Sequence, residues 1–157
     1  MKLKPFTLAF ARVSVGLLVA LWGIDKIVDV DHAVAISDGF YLGLFSVPVV
    51  LQIFGVVQTG IGLATVVGWA GRWVYPAIIL INGVSLLAVW RSILDPWGWV
   101  MEGTNVLFFP SLLIFAASLL IWAWRDEDIY SIDGRRQGTA IASGPRKKVE
   151  TVSGGRA

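Results

Sequence analysis

Phe6 to Val28 reads FTLAFARVSVGLLVALWGIDKIV. At about 1.5 Å rise per residue, a helix of this length crosses the ~30 Å hydrocarbon core of a bilayer. Its few polar and small positions fall on one side. At about 100° per residue, Arg12, Gly16, Gly23 and Lys26 lie within roughly 80° of one another. The other faces carry Leu, Val, Ile and Phe, which suit lipid or apolar neighbours. Glycines on a face let a second helix approach closely. A cation inside a membrane helix is costly, about 2.5–3.5 kcal/mol at the centre on insertion scales, so it turns toward protein or water and finds a partner. The remaining chain is therefore read as the surroundings this face requires.

Three further apolar segments have spanning length: Ser46 to Gly68, Trp73 to Leu94 and Val106 to Trp124. They are continuous apolar runs without the alternation of barrel strands, so helices are the expected form. The whole chain agrees. It has 157 residues, 56% of them apolar and only 15% charged, with eight tryptophans and a mean hydropathy of +0.73. Such values belong to an integral membrane protein. Lys2 and Lys4 before the first run imitate a secretory signal. The run is too long for one, is interrupted by Arg12, and lacks a small-x-small cleavage site, so it reads as a retained helix. There is no cysteine and one histidine, His32. No haem, iron–sulfur or thiol site is expected in this chain.

Orientation follows from Lys and Arg in the connections. With four spans, Lys2, Lys4, Arg72, Arg125, Arg135, Arg136, Arg146, Lys147, Lys148 and Arg156 share one side. Asp29, Asp31, Asp38, Asp95 and Glu102 occupy the other, with Lys26 and Arg91 at helix ends. The expectation is a multi-pass protein of the cell membrane with both termini cytoplasmic. The segment from Asp31 to Phe45 is too short to span. Its Phe40, Tyr41, Leu44 and Phe45 suit an interfacial position. In the connection from Asp95 to Asn105, Pro96 and Gly98 mark a turn, and Trp97 and Trp99 match an aromatic belt. The expected architecture is all-α: an integral membrane four-helix bundle over residues 1–130, then a basic cytoplasmic tail over 131–157. Within this, Arg125 to Arg136 has the polarity of a short ordered skirt. From Gln137 onward no apolar period remains, and disorder is expected.

Polar residues inside the spans locate the candidate site. Gln52, Gly55, Gln58, Thr59 and Gly62 fall within roughly a 120° arc of the second span. Asn82 and Ser85 in the third span, and Ser111 and Ser118 in the fourth, also pair up on single faces. If all these faces turn inward, Arg12, Lys26, Gln58 and Asn82 form a polar pocket for an anionic or carbonyl-bearing ligand. The same residues also serve as packing and hydrogen-bonding glue. Asp25 and Asp29, one turn apart, suit an interfacial pair with Lys26 or Arg91. His32 with Asp29, Asp31 and Asp38 matches no metal-ligand spacing, so no metal site is expected. No nucleophile–base pair, phosphate loop or dinucleotide fingerprint occurs, and no catalytic residue is assigned.

The R-x-x-x-G run with a later G-x-x-K (Arg12, Gly16, Gly23, Lys26), and the second span with Gly55, Gln58 and Gly62 ending at Gly68, Gly71 and Arg72, resemble the DoxX-like small membrane proteins. The likeness covers Phe6 to Trp124. It implies a four-helix membrane fold and an accessory or quinone-interacting subunit of a membrane redox complex. Quinone is the implied cofactor. The partners are the bilayer and other redox subunits, not nucleic acid. The family often has Glu where this chain has Gln58, which removes a proton carrier at that position. A non-enzymatic lipid or small-solute binding or transport protein, and a purely structural subunit, are the other readings. A quinone subunit should have an apolar-mouthed lateral site ending at Arg12 or Lys26. A solute carrier should have a cavity open to one aqueous side, and a structural subunit a closed interior.

Overall fold

The computed structural model describes residues 3–43 and 46–136. Among these the chain is helical, without strands. Helix α1 spans Leu3–Val28, α2 Val30–Phe40, α3 Pro48–Val67, α4 Gly71–Ala88, α5 Trp90–Leu94 and α6 Pro110–Ala123. Short 3₁₀ turns cover Val106–Phe108 and Arg125–Glu127, and a last helical turn covers 132–136. Four stretches are long and apolar enough to cross a membrane: Leu3–Val28, Pro48–Val67, Gly71–Ala88 and Val106–Ala123. The chain is an all-α, multi-pass membrane bundle.

The four spans form two antiparallel pairs, α1 with α3 and α4 with α6, packed on one another. Glycine brings the first pair together. A Cβ on Gly62 would lie 2.4 Å from the Ala20 backbone nitrogen, and one on Gly55 2.7 Å from the Gly23 carbonyl oxygen. Only bare backbone fits there, so dispersion contacts run along the crossing where side chains would otherwise hold the helices apart. The second pair meets through Asn82 and Ser118 and through the Phe115 ring over Gly83. Between the pairs sits a small apolar core of Val15, Val19, Tyr75, Ile78 and Ile121. Most other large apolar side chains are exposed, as a lipid-facing surface requires.

Helix ends follow local chemistry. Pro48 and Pro110 open α3 and α6, where a missing N–H costs nothing. Gly68, at φ +68°, ends α3 in the left-handed conformation. The third span is shorter than the expected Trp73 to Leu94. It begins at Gly71 and is interrupted at Val89, and in α5 beyond it buried Ser92 receives the Asn105 N–H at 3.0 Å. That bond ties the helix end to the following loop. The loop is organised by Asp95, whose carboxylate accepts from the backbone N–H groups of Trp99 at 3.0 Å and of Val100 and Met101 at 2.7 Å. Those bonds, Met101 and Val100 foremost, hold the Asp95 carboxyl below its ordinary value of 3.8. Trp97 and Trp99 stack at 5.3 Å and stand exposed.

The segment after α1 is a true helix. Asp29 caps α2 by accepting from the His32 N–H at 3.1 Å. Ala33 and Ser37 are its buried residues, and it packs on α1 and α3. Tyr41 then donates to Ser85 Oγ at 3.2 Å, and Phe40 meets Phe108 edge-on at 5.1 Å. Leu44 and Phe45 lie outside the described residues.

The expected boundary at 130/131 is corrected. Ser131 is buried, and Asp133 is hydrogen-bonded at both ends to the α3–α4 turn. Its N–H reaches the Gly68 carbonyl at 3.1 Å, and its carboxylate accepts from the Gly71 N–H at 2.7 Å. Residues 128–136 thus belong to the folded unit. The rest of the expected tail, 137–157, lies outside the described residues.

Candidate functional site

Arg12 faces inward and is 3% exposed. The α1 face that buries it also buries Leu8, Val15, Gly16, Val19, Ala20 and Gly23. Its partners are not the amides of α3 and α4. Nε donates to Asp128 Oδ2 at 2.5 Å, and Nη1 donates to the carbonyls of Thr65, at 2.9 Å, and Val66. Those carbonyls belong to the last turn of α3, where backbone acceptors lack partners within the helix. Asp128 is as deeply buried as Arg12, and its second oxygen accepts from the Tyr130 N–H at 3.1 Å. The pair closes the end of the bundle where α1 begins and α6 ends. Nearby, Lys4 meets Glu127 at 2.5 Å.

Asp128 is the buried partner that the sequence reading missed. The signal was present as a run of acids, Asp126, Glu127 and Asp128, on the same side of the membrane as the start of α1. A buried arginine near that side calls for a carboxylate, and this run supplied candidates.

Gln58 and Asn82 are buried but separate. Gln58 Nε2 donates to the Val19 carbonyl at 3.3 Å across the α1–α3 crossing. Asn82 Nδ2 donates to Ser118 Oγ at 2.8 Å, and the Ser118 hydroxyl donates in turn to the Ile114 carbonyl at 2.8 Å. Each amide leaves its oxygen without a donor among the described residues. They flank the core cluster from different helix pairs, so the single pocket expected from Arg12, Lys26, Gln58 and Asn82 is not formed. Gln52 is a second correction: it is exposed. It lies roughly 120° round the helix from Gln58, and Gly55 and Gly62 take the contact with α1.

Lys26 sits at the far end of α1, half-buried. Its stem lies against Gly55, where a Cβ would come within 2.9 Å of Lys26 Cβ. Nζ donates to the Trp22 carbonyl at 3.0 Å and stands 5.9 Å from the centre of the Phe54 ring. The expected pairing of Asp25 and Asp29 with Lys26 or Arg91 does not occur. Asp25 Oδ2 instead meets His32 Nδ1 at 3.0 Å, and Asp29 caps α2. Among the described residues no carboxylate forms an ion pair with Lys26, and no group of acids and histidine has a metal-binding arrangement.

The two cations on the α1 face therefore differ in chemistry. Arg12 is neutralised and immobilised. Lys26 keeps ammonium protons beside an aromatic ring at the lipid-facing edge. Comparison of the chain with family models, curated proteins and solved structures gives no match.

Proposed function

We propose that the chain is a DoxX-like accessory subunit of a membrane redox assembly, and that it meets a quinone or similar carbonyl-bearing lipid-phase molecule at Lys26. The observation that carries this reading is Lys26 itself. It is a charged donor inside a span, packed by Gly55 and Phe54, with one donor committed to a backbone carbonyl and no ion-pair partner among the described residues. An ammonium has three donors, and in a low-dielectric site those left over favour a carbonyl oxygen that gains negative charge. A quinone would supply the electron-carrying chemistry. The chain's part would be to hold the carbonyl at Lys26 and the ring against Phe54. Arg12 is dropped from that role because Asp128 and two carbonyls already engage it. The lysine and arginine asymmetry supports placing both termini in the cytoplasm, in the cell membrane.

A second reading, a purely structural subunit, is favoured by the use of Arg12, Gln58 and Asn82 in helix–helix contacts. A photoreactive azidoquinone, added to the protein in lipid nanodiscs, separates the two. The redox-subunit reading expects saturable labelling of peptides around residues 22–27 and 51–55, reduced severalfold in Lys26→Met. Labelling spread over all lipid-facing helices, or unchanged in Lys26→Met, would leave the structural reading in its place.

A further inference from the structure

At the Arg12–Asp128 end, the α3–α4 turn, the end of α6 and residues 131–136 border a half-open cavity of about 280 Å³. It is unrelated to Lys26, which lies at the other end of α1. Three arginines line it, Arg72, Arg125 and Arg136, against two aspartates, Asp126 and Asp133. The aspartates are partly committed elsewhere. Asp133 accepts from the Gly71 N–H at 2.7 Å, and Asp126 stands 3.7 Å from Arg125. No carboxylate forms an ion pair with Arg72 or Arg136 among the described residues. The lining thus keeps a net positive charge and, among the described residues, two guanidinium groups without an ion-pair partner.

Tyr75 adds a second, independent observation. It is 4% exposed and lines the same cavity, with its ring packed on the bare backbone of Gly71. Its hydroxyl makes no hydrogen bond with any other described residue. A buried tyrosine hydroxyl ordinarily finds a partner. Here the polar end of the ring opens on a cavity rimmed by arginines. Trp73 and Trp122 lie beside Arg72 and Arg125, at 5.4 and 5.9 Å from their guanidinium groups. Both rings are exposed, as in an aromatic belt at headgroup depth.

We propose that this cavity is a binding site for a phosphate ester, with Arg72 and Arg136 as its charged clamps and the Tyr75 hydroxyl as a donor from its floor. Guanidinium groups match phosphate oxygens with paired N–H donors, so exposed Arg72 and Arg136 can close on a phosphate from the rim while buried Tyr75 lies beneath. The volume falls just under the range of drug-sized pockets, which suits a headgroup better than an extended ligand. A place at the ends of the spans, beside exposed Trp73 and Trp122, suits the headgroup region, where anionic lipid concentrates near basic residues. The same chemistry serves a lipid headgroup or a soluble phosphate.

Delipidated protein in detergent is titrated with phosphatidylglycerol, with phosphatidylcholine and with inorganic phosphate, and bound species are counted by native mass spectrometry. Saturable binding of phosphatidylglycerol is expected, weakened about tenfold in the double variant Arg72→Gln, Arg136→Gln and severalfold in Tyr75→Phe. Arg91→Gln, an exposed arginine at the opposite end, removes charge without touching the cavity and should bind as wild type. If inorganic phosphate competes, the phosphate group alone suffices. If only the lipid binds, the acyl chains contribute as well. Either outcome supports the site. The proposal is overturned if neither probe binds saturably, or if Arg91→Gln weakens binding as much as the clamp variant. Azidoquinone labelling at Lys26 is read at the far end of the bundle, so failure of one proposal leaves the other intact.

Discussion

Asp128→Asn tests the arginine lock most directly. The substitution keeps the shape of the side chain and removes its charge. Arg12 then holds a full positive charge in a site where its own side chain is 4% exposed and its partner's 2%. Neither group can rehydrate without opening the end of the bundle. Removing one member of a buried ion pair typically costs about 3–5 kcal/mol, most of it the penalty of the charge left behind. Two α3 carbonyls still solvate the guanidinium, which places the expectation at the lower end, about 3 kcal/mol. Arg12→Leu strands the Asp128 carboxylate and also leaves the Val66 carbonyl without its donor, so about 4 kcal/mol is expected. The double variant Arg12→Leu, Asp128→Leu has no buried charge. It should be less destabilised than the sum of the single changes by about 2 kcal/mol or more. Arg12→Lys should fail to restore wild-type stability, because one ammonium on a different stem cannot reproduce the three-way contact. Unfolding free energies in mixed micelles, read by tryptophan fluorescence, supply all four values. Strict additivity, or full stability in Asp128→Asn, would refute the claim that the pair closes the bundle.

Other expectations follow from single residues. Gly62→Ala places a methyl group against the Ala20 backbone and should lose about 1–3 kcal/mol, whereas Gly60→Ala on the same helix meets nothing within 4 Å and should be neutral or slightly stabilising; the same unfolding assay compares them. The Asp95 carboxyl is held below 3.8 in the folded protein, so its contribution is present above that value and fades as pH falls through the lower folded value. Hydrogen exchange at Trp99, Val100 and Met101 should accelerate only in that acid range, and Asp95→Asn should remove the transition. Truncation after Arg136 should leave the bundle folded, while truncation after Glu127 should resemble loss of Asp128; thermal stability of the two products decides between docked and dispensable segments. With no native cysteine, single cysteines at Glu102 and at Asp126 should label from outside and only from inside intact cells, respectively; the reverse pattern would invert the orientation.

The bundle was legible because its cause is local. Apolar runs of spanning length, glycines on one face of α1 and of α3, and an arginine aligned with them all follow from spacing along one helix. Asp128 was not legible, because Arg12 meets it across 116 residues of chain and nothing in either helix period records that contact. The acidic run read only as part of a short ordered skirt, with no partner assigned to its carboxylates. Gln52 was misplaced for a different reason. A 120° polar arc is wider than the strip that one glycine-lined crossing covers, so one of its edges meets lipid. The pocket expected from four polar residues failed because each found a nearer partner: Gln58 and Asn82 across their own helix pairs, Lys26 on the Trp22 carbonyl of its own helix, and Arg12 on Asp128 and the end of α3. The cavity lined by Arg72, Arg125 and Arg136 joins two turns and a segment assigned to the tail, so no single stretch of sequence displayed it.

The long separation of Arg12 from Asp128 also has a meaning in time. A ribosome adding roughly 5–20 residues per second takes about 6–23 s to cover the 116 positions between them. Throughout that interval Arg12 lacks its carboxylate, although the α3 carbonyls of Thr65 and Val66 are made earlier. The charge is neutralised only when the last span has emerged and turned back toward the same side. The Arg12–Asp128 pair therefore forms only after all four spans have been made. A chain that stalls before Asp128, or inserts its fourth span the wrong way round, keeps in its first helix a cation without its carboxylate, and so carries the cost of a broken buried pair.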